Sequence, residues 1–367
     1  MKIIKSLLSG LLVVAVSLGI ALLLAEGVVR LLYKDQINLF PRYHTDAHYS
    51  EFTLRSMRPN SDFWHTSRDG SWHFHINNKG LRNTQDFAYE KPSGTVRLLA
   101  LGDSHTQGYE VRQDQTYSSV MQRYLQHAGV NAQVINAGVS GFSTAEALVY
   151  LENEGYKYSP DVVVLGFFAN DFQDNLKADF FRLNPDGELV VNKYEHIPGV
   201  RIQNFIYSLP LVKWLSENSY FYSMLFNATW EFFKGRLAAN ADEKVTEYAL
   251  PTIDSVSDYD YALTAALVRR MYSFCQQHGI RLIIVDIPVI AEKGGATTSF
   301  SGGMEQAAQQ NSDAVVEFMP LFADYNDVAQ LHLPHGHRHI SEFSHSLIGV
   351  AAAKAAQELL AEDNNAE

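Results

Sequence analysis

An α/β fold is what this 367-residue sequence predicts. From about residue 95, short apolar runs alternate with segments of helical spacing, and strand–helix alternation of this kind specifies a sheet with right-handed crossovers. The runs are apolar nearly throughout, as in parallel strands covered on both faces. Composition agrees: 46% hydrophobic residues supply ample material for a packed core.

Taken in order, the first element is a membrane helix. Residues Leu7 to Ala25, "LLSGLLVVAVSLGIALLLA", carry no charge and are long enough to span a bilayer core. Lys2 and Lys5 precede them, the short positive flank that stays cytoplasmic. A cleaved signal peptide is the competitor, but the run is longer than a signal core and no A-x-A site follows it. The helix continues through "EGVVRLLYK", with Glu26 and Arg30 spaced to pair on one face. Residues 1–34 are therefore read as a single-pass anchor in the inner (cytoplasmic) membrane, with the bulk of the protein outside the cytoplasm. Arg30, Lys34 and Arg42 on the far side weaken that charge asymmetry.

Residues 35–93 are polar and turn-rich, and alternation such as "SWHFHIN" predicts β-structure laid against the main domain. Residues 94–362 hold the α/β rhythm. "VRLLALG", "AQVINAG", "PDVVVLGFF", "IRLIIVDIPV" and the weaker "AVVEFMP" are its strands. "TYSSVMQRYLQHAG", "STAEALVYLENEG" and the final "SEFSHSLIGVAAAKAAQELLAE" are helices. An aromatic-rich helical insertion, at about 176–262, breaks the rhythm between the third and fourth strands.

A net charge of −12 and the lack of a basic stripe argue against nucleic acid as a partner. The single cysteine, Cys275, excludes an internal disulfide and cysteine-based metal sites, and its helical setting reads as a buried thiol.

Open α/β sheets carry their reactive groups at the carboxyl ends of the strands. The first strand runs into "LGDSHTQG", which lifts the Ser104 hydroxyl at a strand-to-helix turn. The second leads to "NAGVSGFST", where Gly141 lets the backbone approach and offer an N–H. The third leads to "FFANDFQDN", where Asn170 can donate from its side chain. The last connection leads to "HLPHGHRHISEFSH", residues 332–345, with five of the fourteen histidines. A hydroxyl nucleophile, oxyanion donors and a base at successive strand ends are the ingredients of acyl transfer.

"GDSHTQG", the glycine of "NAGVSG", the "ND" of "FFAND" and a histidine before the last helix together resemble the four blocks of the SGNH/GDSL hydrolase family. "INNKGLRN" and "PDVVVLGFFANDFQDN" further resemble its membrane-anchored bacterial members. The resemblance implies a flavodoxin-like three-layer α/β/α sandwich with strand order 2-1-3-4-5. It implies Ser104 as nucleophile, an oxyanion hole of the Ser104, Gly141 and Asn170 amides, and no metal or organic cofactor. Setting the family's final Gly-His on Ser344 and His345 puts the base at His339. Ser341 then caps the last helix, and His345 becomes a packing or surface residue. His332, His335 and His337 fall to a solvated approach loop, while Asp171 and Asp174 become loop acceptors.

The pattern is broken in three places. Phe168 and Ser344 stand where the family has glycine, and no Asp lies two or three residues before His339. His337 occupies one of those positions and is a possible orienting residue; a backbone carbonyl, Asp324, Asp327 or Glu342 are the other options. The reaction expected is hydrolysis of an ester, or O-acyl transfer or deacetylation, on a small molecule, carbohydrate or lipid. Two rival readings remain. In one, His335, His337 and His339 alternate along a strand face as the three ligands of a catalytic zinc, in a metal-dependent hydrolase. In the other, the chain is a non-catalytic binding or assembly protein.

Overall fold

The computed structural model describes residues 2–41, 43–192, 199–239, 256–291 and 295–366. Arg42 and the parts of the insertion at 193–198 and 240–255 lie outside the described residues.

The expected sheet is present. Strands β5 (Val96–Gly102), β6 (Ala132–Asn136), β7 (Val162–Phe167), β10 (Arg281–Asp286) and β13 (Ala314–Val316) form it. Their spatial order is β13-β10-β7-β5-β6 and all pairs are parallel, which is the order 2-1-3-4-5. Successive side chains of a strand point to opposite faces, and the two faces have separate cores. Leu99, Leu101, Val163, Leu165, Leu282 and Ile284 pack with α4 (Thr144–Asn153) and α9 (Asp258–Gln277). Leu98, Ala100, Val162, Val164, Ile283 and Val285 pack with α3 (Tyr117–His127) and α12 (Glu342–Ala366). This is a three-layer α/β/α sandwich.

The helices begin where side-chain oxygens satisfy the free N–H groups of their first turns. Thr116 caps α3, and Ser143 with Glu146 forms a reciprocal box on α4. Ser257 and Asp260 do the same for α9. Shorter helices α2 (Ser104–Gln107), α5 (Asp171–Ala178), α10 (Met304–Gln310) and α11 (Phe318–Phe322) fill the strand-end connections. A small hairpin, β11 (Val289–Ile290) with β12 (Ala296–Thr297), follows β10.

Ahead of the sandwich stand two antiparallel hairpins: β1 (His44–Tyr49) with β2 (Phe52–Met57), and β3 (Ser61–Ser67) with β4 (Gly70–Ile76). Met57, Phe63, Trp72, Phe74 and Ile76 gather with Tyr109 into their own core beside the end of β5. Arg82, from "NKGLRN", is fully buried there. Its guanidinium lies 3.7 Å from the centre of the Phe74 ring and donates to the carbonyls of Gln107, Gly108 and Val111. Burial pulls its pKa down to about 9. The segment after the Ser104 turn is thus pinned by a cation from the hairpin region.

Helix α1 (Lys2–Tyr33) is continuous, and the helical span Ser6–Gln36, in which an 18-residue window reaches a mean hydropathy of 2.7, is long and apolar enough to cross a membrane. Leu11, Leu12 and Val14 are exposed. The insertion contributes hairpin β8 (Phe181–Leu183) with β9 (Leu189–Val191), then helices α6 (Gly199–Tyr207), α7 (Val212–Asn218) and α8 (Tyr220–Ala239). Glu26 joins α1 to the start of α8, accepting from the Ser219 hydroxyl and from the Tyr220 and Phe221 N–H groups.

Candidate active site

Ser104 opens α2 directly after β5. Asp103 caps that turn through its side chain, which accepts from the His105 N–H at 2.8 Å. Gly102 (φ +144) and Gly108 (φ +79) bracket it. A Cβ on Gly102 would sit 2.3 Å from Thr106 Oγ1 and 2.7 Å from the Gly166 carbonyl, so only glycine lets the turn lie this close to β7.

His339 comes from the last connection, 235 residues further on, and its Nε2 lies 2.9 Å from Ser104 Oγ. Both residues are nearly buried, at 6% and 7% exposure. The His339 ring is flanked by His105 and Tyr109, at centroid distances of 5.0 and 4.9 Å. Its backbone is fixed by a hydrogen bond from the Leu333 N–H to the His339 carbonyl, 2.8 Å, and by the bridge between His332 and Ile340. The structure therefore brings Ser104 and His339 together.

The other face of the imidazole holds a residue that the sequence reading missed. His339 Nδ1 lies 3.4 Å from Oε2 of Glu110, whose carboxylate is fully buried. Its other oxygen, Oε1, is 3.5 Å from Nε2 of His65, also fully buried. Burial alone would raise the Glu110 pKa, but the contacts with His339 and His65 outweigh it and hold the carboxyl below the ordinary range. His337, one of the possible orienting residues, is not the group that faces Nδ1. Its ring stands edge-on to His339 at 5.9 Å. Glu342 is paired instead with Arg112, at 2.7 Å. The only sequence hint of Glu110 was an acidic residue between the apolar Tyr109 and Val111.

The oxyanion residues divide. Gly141 adopts φ +81, and among the described residues neither its N–H nor that of Ser104 meets an acceptor. Arg55 of β2 covers Gly141, donating to its carbonyl, and a Cβ there would meet the guanidinium at 2.6 Å. Asn170 is buried, but its Nδ2 donates to Asp174 Oδ2 at 2.9 Å, and Oδ1 has no partner among the described residues. Asp171 and Asp174 lie in the first turn of α5 rather than in a loop. Asp171 accepts from the Phe168 N–H at 3.3 Å. Burial, together with the Asp174 charge, pushes the Asp103 carboxyl up to about 7.

The remaining histidines disperse. His335 Nδ1 is 2.7 Å from Asp69. His332 is not solvated as expected: it is half-buried against the Pro288 carbonyl at 2.8 Å, and burial pulls its pKa to about 4. Of the two expectations for His345, packing is the one the structure shows: it is fully buried, stacked on Tyr117 and accepting that residue's N–H at 3.0 Å. Ser341 caps α12 by accepting from the Ser344 N–H, and the Ser344 hydroxyl donates to the Leu331 carbonyl at 2.7 Å. That bond gives the departure from glycine a structural use. Phe168, the other departure, lays its ring 4.1 Å from His105. Among the described residues no three His, Cys, Asp or Glu side chains gather as a metal would need.

A serine at a strand-to-helix turn and a histidine from the last loop meet at the carboxyl ends of a parallel sheet, an arrangement that fits the class of serine ester hydrolases. Residues 100–345 match the model of the GDSL-like lipase/acylhydrolase family, and the chain belongs to that family. An arylesterase of Vibrio mimicus is 33% identical over 75 residues, which are 20% of this chain and 38% of that protein. Among solved structures, TesA covers 70% of this chain and 97% of its own at 15% identity, with a TM-score of 0.39. The psychrotrophic esterase EstA of a Pseudoalteromonas species covers 72% and 98% at 14% identity, with a TM-score of 0.38.

Proposed function

We propose that the protein is a membrane-anchored serine ester hydrolase that works through an acyl-enzyme on Ser104, with His339 as its general base. The observation that carries this is the 2.9 Å contact between Ser104 Oγ and His339 Nε2, which is within reach for proton abstraction. In the forward step Oγ attacks the ester carbonyl while its proton passes to Nε2. The tetrahedral oxyanion is held by the unpaired N–H groups of Ser104 and Gly141. His339 then returns the proton to the departing alcohol, and a water activated by the same nitrogen releases the acid. A sugar hydroxyl in place of that water would make the reaction acyl transfer. The third donor proposed is Asn170, whose Nδ2 carries a second N–H beside the one it gives to Asp174.

The substrates proposed are O-acylated carbohydrates or lipids near the membrane surface. The apolar α1, with Lys2 and Lys5 ahead of it, supports a single-pass anchor in the cytoplasmic membrane and a catalytic domain outside the cytoplasm. Residues 1–34, 35–93 and 94–362 are proposed as anchor, extension and hydrolase domain.

The test is covalent. The full-length protein in detergent should take up a fluorophosphonate on Ser104, as mapped by peptide mass spectrometry, and Ser104→Ala should take up none. Undiminished labelling of the alanine variant would sink the assignment.

A further inference from the structure

The family pattern supplies an acid just before the base, and this chain has none there. We infer that Glu110 takes that office as a positioning residue for His339, and that the β3–β4 hairpin holds it in place through His65. The inference rests on the Ser104–His339 reading above and extends it.

The geometry forms a line: Ser104 Oγ, the His339 ring, the Glu110 carboxylate and the His65 ring, with successive contacts of 2.9, 3.4 and 3.5 Å. The last two are long for hydrogen bonds, as such contacts commonly are before substrate binds. A buried carboxylate is costly unless it is bonded, and the imidazoles of His339 and His65 face it together with the Ser67 hydroxyl. Bonding to Glu110 Oε2 requires the proton of His339 on Nδ1, which leaves Nε2 free to accept from the Ser104 hydroxyl. When Nε2 takes that proton, the imidazolium is stabilised by the adjacent negative charge. Glu110 itself neither gains nor loses a proton.

The backbone is shaped for this placement. Glu110 sits at φ +61, a left-handed conformation that non-glycine residues rarely adopt. Arg82 keeps it there by binding the carbonyls of Gln107, Gly108 and Val111 on either side. His65 is fixed between Trp72, stacked at 5.8 Å, and Tyr109, at 4.4 Å. Burial holds its pKa below the ordinary value, so it stays neutral. The hairpin region ahead of the sandwich thereby becomes part of the catalytic apparatus.

Glu110→Gln in the full-length protein tests this, with p-nitrophenyl acetate as substrate. We expect kcat to fall about 10²–10³-fold with KM within about threefold, since the lost interaction is made in the transition state. The acid limb of the kcat/KM profile should move to lower pH by about one unit, because a negative charge facing His339 has gone. The other ionisable groups around the carboxylate, His65, His337 and Arg82, remain in the variant. Glu110→Asp should recover part of the activity, which a purely structural role would not predict. An unchanged kcat and an unmoved acid limb would overturn the inference while leaving fluorophosphonate uptake at Ser104 intact. Failure of the wild type to label would overturn the Ser104 reading instead. One further measurement needs no variant. The wild-type protein phosphonylated at Ser104 should show a far-downfield proton resonance from a carboxylate-bonded Nδ1–H, and its absence would equally overturn the role of Glu110.

Discussion

At the scale of single residues, five neighbouring histidines have five different partners, and those partners sort the chemistry. His339 faces Ser104 and Glu110, His335 faces Asp69, His332 the Pro288 carbonyl, and His345 the Tyr117 N–H, while His337 stands edge-on to His339. His339→Ala should therefore lower ester turnover about 10²–10⁴-fold, the usual contribution of a general base. His335→Ala should stay within about threefold of wild type, because its loss leaves the reacting atoms alone. Full turnover should also survive prolonged EDTA treatment. Loss in EDTA with recovery on adding zinc would restore the metal reading of this loop. Ser104, Gly141 and His339 were singled out from the sequence because each lies in a short motif whose position relative to a strand or helix can be read locally. Glu110 was not, since its meaning depends on contacts with His339, 229 residues away, and with His65 on a separate hairpin. No local pattern encodes such a pairing.

Among the elements, the strands were legible for a physical reason: both faces of the sheet are covered, so each strand reads as a mostly apolar run. The hairpins were legible only in part. "SWHFHIN" alternates as β4 does, but nothing in it discloses that Phe74 and Arg82 brace the segment after Ser104. The same limit applies to α12. The sequence leaves His345 open between packing and surface, and it is buried against α3. Burial, then the charges of Arg82 and His339, pull its pKa down to about 3. This folded value lies below the unfolded one of about 6.5, so as pH falls below 6.5 the unfolded chain takes up a proton that the folded chain refuses. The contribution to stability is complete above that pH and is lost toward pH 3, amounting to about 2 kcal/mol by pH 5. His345→Asn can still accept the Tyr117 N–H, with Oδ1 in place of Nδ1, but does not titrate. Denaturant melts at pH 7.5 and pH 5 should show the wild type losing about 2 kcal/mol more than this variant. Parallel losses in the two proteins would show that the ring is not held neutral.

For the molecule as a whole, the question is how α1 relates to the body that follows it. A cleaved leader needs a processing site after its apolar run, whereas here the helix continues unbroken through Tyr33. The residues just past the run are also built into the fold. Glu26 accepts three hydrogen bonds at the start of α8, Arg30 donates to the Asn218 carbonyl, and Val29 is buried. From Ile4 to Leu24 the large apolar side chains are exposed, a surface that water would penalise at roughly 25 cal/mol for each Å². A bilayer removes that penalty and leaves Glu26 and Arg30 at its edge, where charged groups are tolerated. The expectation is a full-length chain, beginning at or near Met1, that stays with the membrane pellet after alkaline carbonate washing. It should be released only by detergent. A mature N-terminus near Glu26, or recovery of the whole chain in the soluble fraction, would show that the helix does not serve as an anchor.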